Sequence, residues 1–136
     1  MTVYLDSSAA AKLLLDEVES EALAAYLDDL DEDERLVSSV LLETELRRMG
    51  IRLGWAQFLV SGVLDQIHLI EPNRSLFAEA GLLPGAFLRS LDALHVATAH
   101  RLDVRVVVAY DRRLQQAARD VGLAVAAPGS GLSELS

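Results

Sequence analysis

Two hydrophobic rhythms alternate along the chain. Val3-Tyr4-Leu5 is a short apolar run closed by Asp6-Ser7-Ser8, whose side-chain oxygens suit a helix N-cap. Ala9 to Leu15 then reads as a helix. Glu17 to Asp29 reads as a second, because Val18, Ala22, Ala25 and Tyr26 recur at helical spacing. Leu36-Val37-Ser38 is a brief strand, and Val40 to Met49 is a helix stopped by Gly50. Trp55 to Leu64 is helical, with Trp55, Phe58 and Leu59 expected in the core. Gln66 to Ile70 is a strand ending at Pro72, and Arg74 to Leu82 is a helix stopped by Pro84 and Gly85. A helix opens with Ser90 and runs to Leu102. The β-branched run Arg105 to Tyr110 is a strand, Arg112 to Val121 a helix ending at Gly122, and Ala124 to Ala126 a last short strand. Strands separated by helices predict an α/β fold. The expectation is a single domain over 1–128, a short, mostly parallel central sheet flanked by helices, with 129–136 as a flexible tail.

Composition narrows the class. At 136 residues and 51% hydrophobic, the chain has enough apolar surface for one core and too little length for two. It contains no cysteine, which excludes disulfide frameworks, thiolate zinc sites and cysteine nucleophiles. The first residues lack a basic segment and a long apolar run, and no apolar stretch approaches the ~20 residues of a membrane span. A cytoplasmic protein, not a membrane one, is expected.

The net charge of −9 argues against a nucleic-acid partner until its distribution is considered. Ten acids and no base lie between residues 16 and 34, which leaves the rest of the chain at +1. Eleven of the twelve bases are arginine, the side chain that grips phosphate bidentately. The single lysine, Lys12, reads as a plain exposed charge.

Ligands of open α/β sheets bind beyond the carboxyl ends of the strands. Asp6 and Asp111 each follow a strand directly, although either alone is equally well an ordinary N-cap. On the helix Val40–Met49, at about 100° per residue, Glu45 falls in the apolar stripe beside Leu41, Leu42 and Met49, and Glu43 points roughly 160° away with Arg47. A carboxylate in that stripe needs a cation or an ion-pair partner, an arginine being the ordinary one. Leu91-Asp92-Ala93-Leu94-His95-Val96-Ala97-Thr98-Ala99 is apolar nearly all round and should be central. Asp92 lies in its first turn, where the helix macrodipole alone would favour an acid, and His95 reads as a core histidine or as support behind a ligand. Four converging carboxylates repel by roughly 3 kcal/mol per pair at ~5 Å and an effective dielectric of ~20. A hard cation removes that cost, and all-oxygen donors point to Mg²⁺ or Mn²⁺.

Taken in order, Tyr4-Leu5-Asp6-Ser7-Ser8, Ser39-Val40-Leu41-Leu42-Glu43-Thr44-Glu45-Leu46-Arg47-Arg48, Leu91 to Ala99, and Tyr110-Asp111-Arg112-Arg113-Leu114 resemble the PIN-domain ribonucleases. More narrowly they resemble the VapC-type toxins of bacterial toxin–antitoxin pairs, over the whole chain. The resemblance assigns Asp6, Glu45, Asp92 and Asp111 to an acidic catalytic metal site. Asp6 and Asp92 become direct ligands of the principal ion, Glu45 holds one of its waters, and Asp111 completes the site or a weaker second one. Ser7 takes the position of a family serine or threonine beside the site. The implied reaction is Mg²⁺- or Mn²⁺-assisted hydrolysis of RNA to 5′-phosphate and 3′-hydroxyl ends, with Arg47, Arg48, Arg112 and Arg113 as candidates to hold the substrate. The implied partners are RNA, a cognate VapB-type antitoxin and a second copy in a homodimer. The acidic 16–34 segment, otherwise a solvated face, would then steer a basic antitoxin.

Four other readings compete, of which a receiver-type signalling domain wants paired acids before its phosphorylated aspartate and a late lysine, both absent here. A PIN nuclease outside toxin–antitoxin systems shares every motif. A phosphoaspartyl phosphatase wants Asp-x-Asp after the first strand, where this chain has Asp6-Ser7-Ser8. A non-catalytic binding module would use the same carboxylates as caps.

Overall fold

The computed structural model describes residues 1–135, with side chains through Gly131. Its elements follow in the order β1 (Thr2–Leu5), α1 (Ser7–Lys12), α2 (Ser20–Asp28), β2 (Arg35–Ser39), α3 (Leu41–Leu53), α4 (Gln57–Leu64), β3 (His68–Ile70), α5 (Arg74–Gly81), α6 (Ser90–Arg101), β4 (Val106–Val108), α7 (Arg112–Asp120), β5 (Val125–Ala127) and β6 (Leu132–Leu135). The strands form one sheet in the order β3-β2-β1-β4-β5-β6. The first five are parallel, and β6 runs antiparallel to β5. The α/β architecture expected from the alternating rhythms is therefore the one observed.

Alternation along the strands divides the core in two, as a period of two requires. Val3, Leu5, Val106 and Val108 pack with Leu23, Leu42 and Leu46 on one face. Tyr4, Val37, Val107 and Val125 pack with Val96, Ala99 and Leu114 on the other. From β1 the chain works outward through β2 to β3, then returns to lay β4 on the opposite side of β1. That reversal puts a crevice at the carboxyl ends of β1 and β4, where such sheets bind ligands.

Several local expectations give way to tertiary packing. Gly50 does not end α3. It is buried where α4 crosses, and a Cβ there would stand 2.9 Å from Gln57 Nε2, which donates to the Arg47 carbonyl. The helix ends at Gly54, in the left-handed region at φ 77°, where a residue without Cβ is unstrained. Trp55 packs on the core, but Phe58 is 75% exposed and Leu59 also faces solvent. Lys12 is not a plain surface charge. It pairs with Glu17 at 3.1 Å and Glu19 at 3.2 Å and lies 4.7 Å from the Tyr110 ring centroid. Part of the expected tail, Leu132–Leu135, is a strand, while Ser136 lies outside the described residues. Among the described residues, no helix is long and apolar enough to cross a membrane.

Candidate active site

Asp6 leaves β1 as the N-cap of α1, 2% exposed. Its backbone N–H donates to the Val108 carbonyl of β4 at 3.0 Å, tying the residue to both strands. Its Oδ2 accepts from the Ser8 amide at 3.2 Å and the Ser8 hydroxyl at 2.7 Å. Its Oδ1 is buried with no hydrogen-bond donor among the described residues. A shielded carboxylate oxygen without a partner is costly unless a cation meets it.

Asp111 does not follow its strand directly as expected, because β4 ends at Val108 and Ala109-Tyr110 intervene; it caps α7, its Oδ1 accepting from the amides of Arg113 and Leu114 at 2.9 and 3.1 Å. Both capping readings thus hold, and they do not compete with a role in the crevice. Each cap engages one oxygen and leaves the other outside it.

Glu45 turns inward from α3 as the helical arithmetic requires, while Glu43 stays outside in an i,i+4 pair with Arg47 at 3.1 Å. The partner of Glu45 is not an arginine but His95, whose Nε2 lies 2.6 Å from Glu45 Oε1. The His95 ring is fully buried, and its Nδ1 is 2.7 Å from the Tyr4 hydroxyl. That hydroxyl also accepts from the Ser39 amide at 3.2 Å. Burial pushes the Tyr4 phenol far above its usual range, so it keeps its proton and can donate it to Nδ1. Nε2–H is then the end of the ring that donates to Glu45. Burial alone would lower the His95 pKa, but the Glu45 bond and the charges of Asp6, Glu45 and Asp92 outweigh it and raise the value.

Asp92 sits half-buried in the first turn of α6. Burial raises its pKa, the negative charges of Asp6, Asp111 and Glu45 raise it further, and His95 opposes them. The four acids singled out in the sequence, carried by four separate elements, therefore share one electrostatic environment. Among the described residues, no three histidine or acidic side chains stand close enough together to hold a metal ion between them. Mg²⁺ in any case keeps several waters and takes only one or two carboxylates directly. The unpartnered Asp6 Oδ1 and the all-oxygen donors fit a hard divalent cation.

Beside Glu45 a cleft of about 340 Å³ is lined by Ser7, Thr44, Arg48, Met49, Arg52 and Leu91. Of the arginines proposed for substrate, Arg48, Arg112 and Arg113 are exposed. Arg47 is committed to Glu43, Gln57 and Ser61. Sequence reasoning missed Ser8, although a serine two residues after a capping aspartate is an ordinary source of such a bond. It also missed Tyr4, where the signal was a phenol in a buried strand that must find a partner.

Five parallel strands flanked by helices, with the β1–β4 reversal at the centre of the sheet, define a small α/β domain. A family model described as the PIN domain matches residues 3–120, and the chain belongs to that family. It is 42% identical over 133 residues to Ribonuclease VapC35 of Mycobacterium tuberculosis, covering 93% of this chain and 97% of that protein. It is 36% identical over 137 residues to Ribonuclease VapC47 of the same species, covering 94% and 98%. The crystal structure of M. tuberculosis VapC20, described as a Sarcin-Ricin loop cleaving toxin, shares the fold at a TM-score of 0.71 and 14% identity, covering 85% of this chain and 94% of that one.

Proposed function

We propose that the chain is a divalent-metal-dependent endoribonuclease and the toxin of a VapC-type toxin–antitoxin pair. One observation carries the reading. The charges of Asp6, Asp111 and Glu45 all bear on Asp92, and a buried oxygen of Asp6 has no donor among the described residues. The kinship with ribonucleases of nearly the same length supports RNA as substrate.

Asp6 and Asp92 would hold the principal Mg²⁺ or Mn²⁺ directly, with Glu45 and Asp111 completing the site. When bound, the ion supplies positive charge for the scissile phosphate and acidity for the attacking water. The protein's part is orientation. Ser8 fixes the rotamer of Asp6, and His95 Nε2–H fixes that of Glu45. Arg48 and Arg52 flank the cleft beside Glu45 and offer fork-shaped donors to the substrate's phosphates.

The acidic segment suits a basic protein partner better than RNA. Lys12 engages Glu17 and Glu19, and Arg105 engages Glu34 at 2.7 Å. The other seven acids of the segment are exposed. Such a face speeds association with a cationic antitoxin and repels nucleic acid.

Induced expression in a bacterial host tests the reading. The wild-type chain should arrest growth, and Asp92→Asn, present at equal abundance, should not. Growth arrest by both variants would place the toxicity outside the acidic site.

A further inference from the structure

A second, larger cleft of about 720 Å³ opens beside α7, within the size range of ligand sites. One wall is a stripe of α7, where Arg112, Gln115 and Arg119 fall at i, i+3 and i+7. Lys12 and Glu19 face it, with Tyr110 and the Gly129-Ser130 turn closing the remainder. The turn is seated tightly. Gly129 has φ +84°, and a Cβ there would stand 2.9 Å from Ala22 Cβ.

The charges of this cleft are unequally committed. Glu19 and Glu17 are taken up by Lys12, whereas Arg112 and Arg119 have no ion pair among the described residues. Arg119 Nε is shielded from solvent and has no acceptor. A buried donor left unmatched is costly unless an acceptor meets it, and a charged acceptor forms the stronger bond. Arg112 and Arg119 lie two turns apart, about 10 Å along the helix axis, a spread that lets each side chain take its own phosphate of a strand. The cleft is linked to the acids through the chain and one bonded serine. Arg112 directly follows Asp111, and Ser8, which donates to Asp6, accepts from the Tyr110 amide at 3.0 Å.

We propose that this cleft is a second subsite for single-stranded RNA, in which Arg112 and Arg119 hold phosphates of nucleotides flanking the bond to be cut. It rests on the ribonuclease reading but is separable from it. The test uses the full chain carrying Asp92→Asn, titrated with a labelled single-stranded RNA at a series of salt concentrations. Adding Arg119→Ala or Arg112→Ala should weaken binding severalfold and reduce the slope of log affinity against log salt by about 0.7 for each phosphate no longer neutralised. Arg119→Lys, which keeps the charge, should retain the slope and also serves if the alanine variant fails to fold. Affinity and slope unchanged by both Arg112→Ala and Arg119→Ala would overturn the subsite. So would loss of binding to a polyglutamate peptide with RNA binding intact, which would make the cleft a site for an acidic protein segment. If Asp92→Asn alone still cleaves RNA, the acidic-site reading fails, and the salt slopes still decide the cleft.

Discussion

Glu45 and His95, fifty residues apart, share the shortest hydrogen bond of the site, 2.6 Å between Oε1 and Nε2. The bond belongs to a chain that runs from the Ser39 amide through the Tyr4 hydroxyl and the imidazole to the carboxylate. Each link constrains the next. The polar cluster is buried between β1, β2 and α6, so Glu45 is aimed by the core of the protein. Tyr4→Phe leaves the Ser39 amide without its acceptor and His95 Nδ1 without its donor, and should cost about 1–3 kcal/mol of folding stability. Urea unfolding measures this, and a variant as stable as wild type would break the proposed chain of bonds.

Asp92 makes the cation-free protein sensitive to pH. Its pKa is raised above the ordinary 3.8 by burial first and then by Asp6 and Asp111. The folded state therefore holds this proton more tightly than the unfolded state. Stability from this group is present at low pH and is lost as pH rises from about 3.8 through the raised folded value. In chelator near pH 7, Asp92→Asn should be more stable than wild type by on the order of 1 kcal/mol, with solvent screening of the half-exposed group keeping the gain small. Thermal melts in chelator at two pH values check the sign, and a less stable variant at pH 7 contradicts the shared acidic environment.

Cation binding should then reverse the order. A ligand that binds only the folded state stabilises it by about 2.7 kcal/mol at a concentration 100 times its Kd. Mg²⁺ or Mn²⁺ should raise the melting temperature of wild type, and Asp6→Asn should lose most of that rise. Equal shifts in the two proteins would place the bound ion elsewhere.

Gly54 allows a test remote from the chemistry. At φ 77° it ends α3 in a conformation that penalises a Cβ, so Gly54→Ala should cost about 1 kcal/mol and leave the cation-induced shift unchanged. A neutral substitution in denaturant titrations would mean that α3 ends differently in solution.

What the sequence reveals and conceals follows from where each signal resides. The strand ends make Asp6 and Asp111 visible, and about 100° per residue separates Glu45 from Glu43, because these are properties of single elements. The continuation of α3 through Gly50 depends on the approach of α4, and the burial of Lys12 on Tyr110, from the distant loop after β4. The Tyr4–His95–Glu45 chain joins residues 91 and 50 positions apart, so no local pattern announces it. Phe58, counted among core aromatics by spacing, faces solvent because α4 spans only eight residues and buries Val60 and Leu64 instead.

The most direct measurement is cleavage of total bacterial RNA by the purified chain, with the new 5′ ends mapped. Parallel reactions contain Mg²⁺, Mn²⁺ or chelator, and Asp92→Asn is run beside wild type. The account predicts discrete 5′-phosphate ends that require the divalent ion and are absent with the variant. Cuts that persist in chelator or in Asp92→Asn, or no cuts above the variant's background in any reaction, would contradict it.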